Sequence, residues 1–149
     1  MSDFRGMGVF SLIQLNHFAR EYQVEAQRCV IFTTLRDVVL HCIRALEESN
    51  HPTRWYPFAV TGINVTGFMI DLIHERLVDI KLYRLAGSGE GEDVAAGLTA
   101  LHDLYATIFT RFNKLWVDTN PRDVMAFPSI FQSLKDDIRR ELLQKSFRY

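Results

Sequence analysis

Apolar residues recur at helical spacing along most of this chain. Val9, Leu12, Ile13 and Leu15 lead to Phe18, Ala19 and Tyr22. Ile31, Leu35, Val38, Val39, Cys42 and Leu46 form a second stripe, and Val65, Phe68, Met69, Leu72 and Ile73 a third. Leu98, Leu101, Leu104, Tyr105, Ile108, Phe109, Phe112, Leu115 and Trp116 form the longest. Phe131, Leu134, Ile138 and Leu142 form the last. All follow the i, i+3, i+4 rule, and no run alternates convincingly with period two. The pattern predicts an all-α fold: one compact multi-helix domain of five main helices, its core centred on the stripe from Leu98 to Trp116.

The breaks between stripes agree. Ser49-Asn50-His51-Pro52-Thr53 ends the second helix, and Pro57 suits the first turn of the third. Gly87-Ser88-Gly89-Glu90-Gly91 is a flexible connector. Asp118-Thr119-Asn120-Pro121 is a turn whose proline could open a short helix, and Phe127-Pro128 restarts the chain into the final helix. No internal repeat interrupts this order, and the linkers are too short to mark a domain boundary.

Composition narrows the functional classes. The chain has 149 residues, one domain's worth, with 11 phenylalanines to supply core bulk. Its formal net charge is -1, with acids and bases interspersed. A nucleic-acid binder would need a basic stripe or face. No apolar run approaches the ~20 residues that cross a bilayer. Gln14 and the polar residues after it break up any signal-peptide core. Ser2 excludes N-myristoylation, and Ser146-Phe147-Arg148-Tyr149 offers no prenylation cysteine. The expected location is the cytoplasm. Cys29 and Cys42 are 13 residues apart on one predicted helix, or about 20 Å. That exceeds the reach of a disulfide, so both thiols are expected to stay reduced.

Most candidate chemistry dissolves on inspection. The glycine-rich connector lacks the Gly-x-x-x-x-Gly-Lys-Ser/Thr order of a phosphate loop, and Glu90, Glu92 and Asp93 would repel phosphate. His17, His41, His51, His74 and His102 make no metal-ligand spacing. No nucleophile elbow or activated cysteine is present. No self-contained catalytic set, cofactor site or metal site is therefore expected. Asn64 stands out because it shares a helix face with Phe68 and Leu72. A buried amide must find partners, so Asn64 is expected to form an interhelical hydrogen bond. The Asn64-x-Thr66 glycosylation match is expected to be idle in a helical site.

Asp3-Phe4-Arg5-Gly6-Met7-Gly8 is more informative. It runs straight into the first helical pattern and sets an arginine at a helix entrance. A helix N-terminus carries partial positive charge, so a cation there is misplaced. An anion supplied by a partner, such as a nucleotide phosphate, would complete the site. Gly6 and Gly8 would let another surface approach the backbone. The plainer alternative is that Asp3 caps the helix and pairs with Arg5 while the glycines serve a turn. Spacing leaves both open.

The block Asp3-Phe4-Arg5-Gly6-Met7-Gly8-Val9-Phe10-Ser11-Leu12-Ile13-Gln14-Leu15 resembles the Asp-x-Arg-Gly-x-Gly-x-x-x-Leu-x-x-Leu signature of the ELMO domain. Tyr56-Pro57-Phe58-Ala59-Val60-Thr61-Gly62-Ile63-Asn64-Val65-Thr66 is similar to the domain's second motif, and Leu115-Trp116 with Pro121 to its C-terminal part. The resemblance implies a helical fold and two possible settings. In the smaller ELMO-domain proteins, the arginine matching Arg5 is the catalytic residue proposed for GTPase activation on Arf and Arf-like small GTPases. In the larger engulfment scaffolds, which regulate Rac exchange, that arginine is not retained. The presence of Arg5 favours the first setting.

The implied function is thus a GTPase-activating protein, with Arg5 as an arginine finger acting in trans. Asp3, Gly6 and Gly8 are the accompanying GTPase-binding residues. The implied partner is a GTP-bound Arf-family GTPase, through which the chain could visit organelles peripherally. The alternative is a non-catalytic adaptor that holds a GTPase or an exchange-factor subunit. One departure stands out. The family's upstream Trp-x-x-x-Gly-Phe-Gln and Pro-x-Thr residues do not precede Met1, so residues 1–149 are read as an ELMO domain lacking its N-terminal part.

Overall fold

Tyr105, Phe109, Phe112 and Trp116 recur at intervals of four, three and four residues, which places them on one side of one helix. That side is the spine of the molecule. A computed structural model describes residues 9–18, 44–79 and 94–146. Within them lie five α-helical stretches and, among the described residues, no strand. They are α1 (residues 9–18), α2 (44–49), α3 (Phe58–His74), α4 (Val94–Thr119) and α5 (Phe127–Ser146). A short 3₁₀ turn, Val124–Ala126, precedes α5. Helix α4 packs against both α3 and α5.

The four rings of α4 are all buried and reach α1, the α2–α3 connection, α3 and α5. Phe109 stacks on Phe18 of α1 at 4.9 Å and lies 5.0 Å from Phe58 of α3, centroid to centroid. Phe112 meets Tyr56 edge-on at 5.2 Å and contacts Phe127 and Phe131 of α5. Trp116 closes the row against Tyr56 and Phe127. Aromatic pairs in such tilted and edge-on geometries add roughly 0.5–1.5 kcal/mol each beyond their buried area. The core therefore centres on residues 105 to 116. The first part of the predicted stripe contributes less: Leu98 is exposed, and Leu101 and Leu104 are half-buried.

Two polar tips fasten the segment between α2 and α3 to this spine. The Trp116 indole N–H donates to the Arg54 carbonyl at 2.6 Å. The Tyr56 hydroxyl lies 2.9 Å from both the Ala45 carbonyl oxygen and the Asn113 side-chain oxygen. A hydroxyl has one proton, so it donates to one of these at a time. Helix α2 ends where the polar run Ser49-Asn50-His51 predicts. The Ser49 hydroxyl donates to the Leu46 carbonyl, and the amides of Asn50 and His51 turn back on Glu47 and Glu48.

The helix ends carry the turn chemistry in unexpected places. Helix α3 starts at Phe58 with Pro57 as its N-cap, earlier than its apolar stripe suggests. At its other end Leu77 N–H bonds to Leu72 C=O and Arg76 N–H to Ile73 C=O. This is a Schellman closure, and it forces Arg76 to a φ of 56°. Asn120 takes a φ of 45° to end α4. Pro121 follows it into the core but opens no helix. The 3₁₀ turn begins three residues later, where the Asp123 carboxylate caps the Met125 amide at 2.8 Å. Pro128 sits in the first turn of α5, as its fixed φ favours.

Arg139 of α5 reaches back to the end of α3. Its guanidinium donates two bonds to Glu75, at 2.9 and 2.6 Å, and its carbon lies 5.1 Å above the Phe68 ring. The Arg139 hydrogen bonds hold the Glu75 carboxyl below its usual value, and Glu75 in turn raises Arg139. A lowered carboxylate stabilises the fold above its unfolded pKa of roughly 4.3 and loses that effect as Glu75 protonates. The pair is partly exposed, so its contribution stays under about 1 kcal/mol.

Gly62 marks the tightest approach between α3 and its neighbours. A β-carbon there would sit 2.7 Å from the Tyr105 hydroxyl and 2.8 Å from Leu15 Cδ1. Leu15 can swing aside, but Tyr105 is rigid and packed between Phe18 and Phe109. Gly97 of α4 has open space around it. Alanine gains up to about 1 kcal/mol over glycine in a helix, whereas overpacking costs about 1–3 kcal/mol. Gly62→Ala should therefore lower the denaturant midpoint while Gly97→Ala raises it. Equal shifts in urea titrations of the two variants would show that Gly62 is not a packing constraint. Arg76→Gly should stabilise by about 0.5–1 kcal/mol, because glycine adopts positive φ without penalty. The ion pair it loses, Arg76 to Asp79 at 3.8 Å, is exposed and weak. A lower thermal midpoint for Arg76→Gly would contradict this.

Candidate functional site

Asp3, Arg5, Gly6 and Gly8 lie outside the described residues, as do Cys29 and Cys42. Helix α1, which follows the arginine motif directly in the chain, is described. The site is therefore built from the way the fold holds α1.

The buried side of α1 is formed by Ser11, Gln14 and Phe18, with Leu15 partly buried beside them. Phe18 anchors it in the aromatic core, stacked on Phe109 and edge-on to Tyr105 at 5.6 Å. Next to it, Gln14 is wholly inaccessible. Its side-chain oxygen lies 2.8 Å from His102 Nδ1, a hydrogen bond joining α1 to α4. The His102 ring also stacks on His17, with centroids 3.5 Å apart and planes 19° from parallel. Gln14 and His17, three residues apart on α1, thus grip one histidine of α4. The Gln14 Nε2 atom is buried and has no partner among the described residues. A stranded amide donor costs about 1–3 kcal/mol, so this contact is held at some expense.

The opposite side of α1 is open and mostly apolar, with Asn16 its polar member. Val9 is 71% exposed, Leu12 39% and Ile13 50%. These are residues whose spacing predicts a buried helix, yet the fold turns Ser11 and Gln14 inward instead. Apolar residues surround this helix on both sides, so periodicity alone does not choose between its faces.

Asn64 corrects the sequence-based expectation. It is half-buried, and its amide donates to the Val60 carbonyl of its own helix at 2.8 Å. The second motif acts through other residues. Tyr56 and Val65 fill the core, and Gly62 admits Leu15 and Tyr105. The Thr61 and Thr66 hydroxyls satisfy themselves on the carbonyls of Pro57 and Gly62. Gln14, His17 and His102 were not singled out by sequence reasoning as a group. The usable signal was a polar side chain one turn before Phe18, the same kind of signal that favoured Asn64. Only the helix packing distinguishes the two. Among the described residues no third His, Cys, Asp or Glu joins the histidine pair to make a metal cluster. The arrangement is one that positions a helix.

Comparison with known proteins bears on what that helix presents. The chain is 28% identical over 142 residues to ELMO domain-containing protein 2 of Homo sapiens, an alignment covering 95% of this chain and 41% of that protein. It is 25% identical over 137 residues to ELMO domain-containing protein B of Dictyostelium discoideum, covering 92% of this chain and 39% of that one. It is 24% identical over 150 residues to human ELMO domain-containing protein 1, covering 95% and 43%. The chain thus spans about two fifths of the length of these relatives. No solved structure matches it significantly. The ELMO/CED-12 family model matches residues 1–131, a span that holds both motifs, with the gripped helix lying largely within the first, and the chain belongs to that family.

Proposed function

We propose that this chain is a GTPase-activating protein for an Arf or Arf-like small GTPase. The observation that carries the reading is the order Asp3-x-Arg5-Gly6-x-Gly8 ahead of α1, in a chain of the ELMO/CED-12 family. The substrate is GTP held by the partner, and water is the nucleophile. The chain needs no nucleotide or metal of its own. Arg5 inserts beside the transferring phosphoryl group and stabilises the charge that develops on its oxygens. Asp3 orients the guanidinium, and Gly6 and Gly8 keep the approach open. The grip of Gln14 and His17 on His102 supports this reading, since a finger gains from a firmly seated helix behind it.

Arginine fingers supply about 10³–10⁵ in rate, or roughly 4–7 kcal/mol of barrier. Their planar fork shares hydrogen bonds between phosphate oxygens in a geometry that an ammonium does not reproduce. Arg5→Lys should therefore abolish most of the acceleration in single-turnover GTP hydrolysis, measured across purified Arf-family members. Binding of the GTP-loaded partner should fall far less, because a finger acts chiefly in the transition state. Full activity in Arg5→Lys, with an active parent, would remove Arg5 from the mechanism. A parent that binds a GTPase without accelerating hydrolysis would establish the adaptor instead. Unfolding of the variant would make Arg5 a structural ion-pair partner of Asp3.

A further inference from the structure

Helix α1 buries two polar residues beside Phe18 and Leu15 and leaves three apolar ones exposed. Its buried face carries Ser11 and Gln14, both essentially inaccessible, and its outer face carries Val9, Leu12 and Ile13. Single apolar residues on a surface need no explanation, but three at i, i+3 and i+4 form one continuous ridge. The inner face cannot exchange places with it. Gln14 is bonded to His102, His17 is stacked on the same ring, and Phe18 is fixed in the core. Rotating α1 to bury the ridge would break all three contacts.

Chain geometry limits what can cover the ridge. Arg5 and Val9 are four residues apart, so their α-carbons are at most about 14 Å apart even in an extended chain. Leu12 and Ile13 add about 6 Å along the helix. A specific interface of standard size buries roughly 800 Å² on each partner, a patch of about 16 Å radius. A globular partner that receives Arg5 at its nucleotide can therefore extend over the first turns of α1. The α3 and α4 side of that helix is filled, so a partner that does so meets the side that carries the ridge.

We propose that Val9, Leu12 and Ile13 form the docking ridge for the GTP-bound small GTPase that Arg5 serves. The complementary surface is on the switch segments that the γ-phosphate orders beside the nucleotide. The inference rests on the GTPase-activating reading of Arg5. It assigns the affinity to α1 and the rate to Arg5, two properties that separate in kinetics.

The test compares Val9→Ser and Ile13→Ser with the parent and with Arg5→Lys, using the Arf-family member most strongly bound or accelerated by the parent. Each ridge variant should weaken binding of the GTP-loaded GTPase tenfold or more, with the saturated single-turnover rate within about twofold of the parent. Arg5→Lys should show the reverse pattern. Both ridge variants should keep the parent's thermal midpoint and sedimentation mass. Unchanged affinity in the ridge variants, beside a loss of rate in Arg5→Lys, overturns the ridge and leaves the finger standing. A parent that binds without accelerating, and loses binding in the ridge variants, supports the ridge and overturns the finger. A drop in sedimentation mass marks a contact between copies of the chain, and a drop in thermal midpoint marks an internal contact. Either would overturn the assignment to a GTPase, as would a parent that binds no Arf-family member.

Discussion

The aromatic row of α4 is the constraint on which the other helices depend. Tyr105, Phe109, Phe112 and Trp116 occupy one face, and between them they touch α1, the α2–α3 connection, α3 and α5. A ring fixes orientation as well as burial, since tilted and edge-on contacts are directional. Phe18 anchors α1 by stacking on Phe109, and Phe127 and Phe131 stack on each other where they meet Phe112. A Trp116 hydrogen bond pins the Arg54 backbone to the same face, and Tyr56 ties it to the Ala45 carbonyl of α2. One helix thus serves as the template on which the sequence-distant parts are registered.

How legible this was depended on the packing around each helix. The stripes of α3 and α5 are buried much as their periodicity predicts, because each helix has one packed side and one wet side. Val65, Phe68, Met69 and Leu72 all fall in the core, as do Phe131, Leu134 and Ile138. Helix α1 was misread because it is apolar on both sides, and a hydrogen bond to a histidine 88 residues away decides its rotation. Asn64 was misread for a related reason. Its own backbone satisfies it, so it never needed a partner on another helix. The arginine motif is read from the sequence alone, as a cation at an expected helix entrance. Its geometry lies outside the described residues.

Buried polar groups and exposed apolar ones are usually separate anomalies; on α1 they share one cause. A helix clamped through Gln14 and His17 has given up the freedom to bury its other apolar side. The clamp costs stability twice, through the stranded Gln14 Nε2 and through apolar surface left in water. Neither cost improves the isolated domain. Both make sense for a surface whose counterpart is another molecule, because apolar area withheld from the core remains available to an interface.

The same comparison of magnitudes applies to Arg5. At the helix entrance that the sequence pattern predicts for it, a cation loses about 0.3–1 kcal/mol against the helix dipole. On the proposed reading it returns roughly 4–7 kcal/mol, but only in the transition state of a partner's reaction. A residue selected for such an effect has no reason to be optimised for the folded monomer. It should look misplaced when the chain is considered alone, as Arg5 does in the sequence and as the ridge does in the structure. On the proposed reading, residues that trade the stability of the isolated chain for contacts it does not make by itself are where an activity exercised in trans leaves its mark.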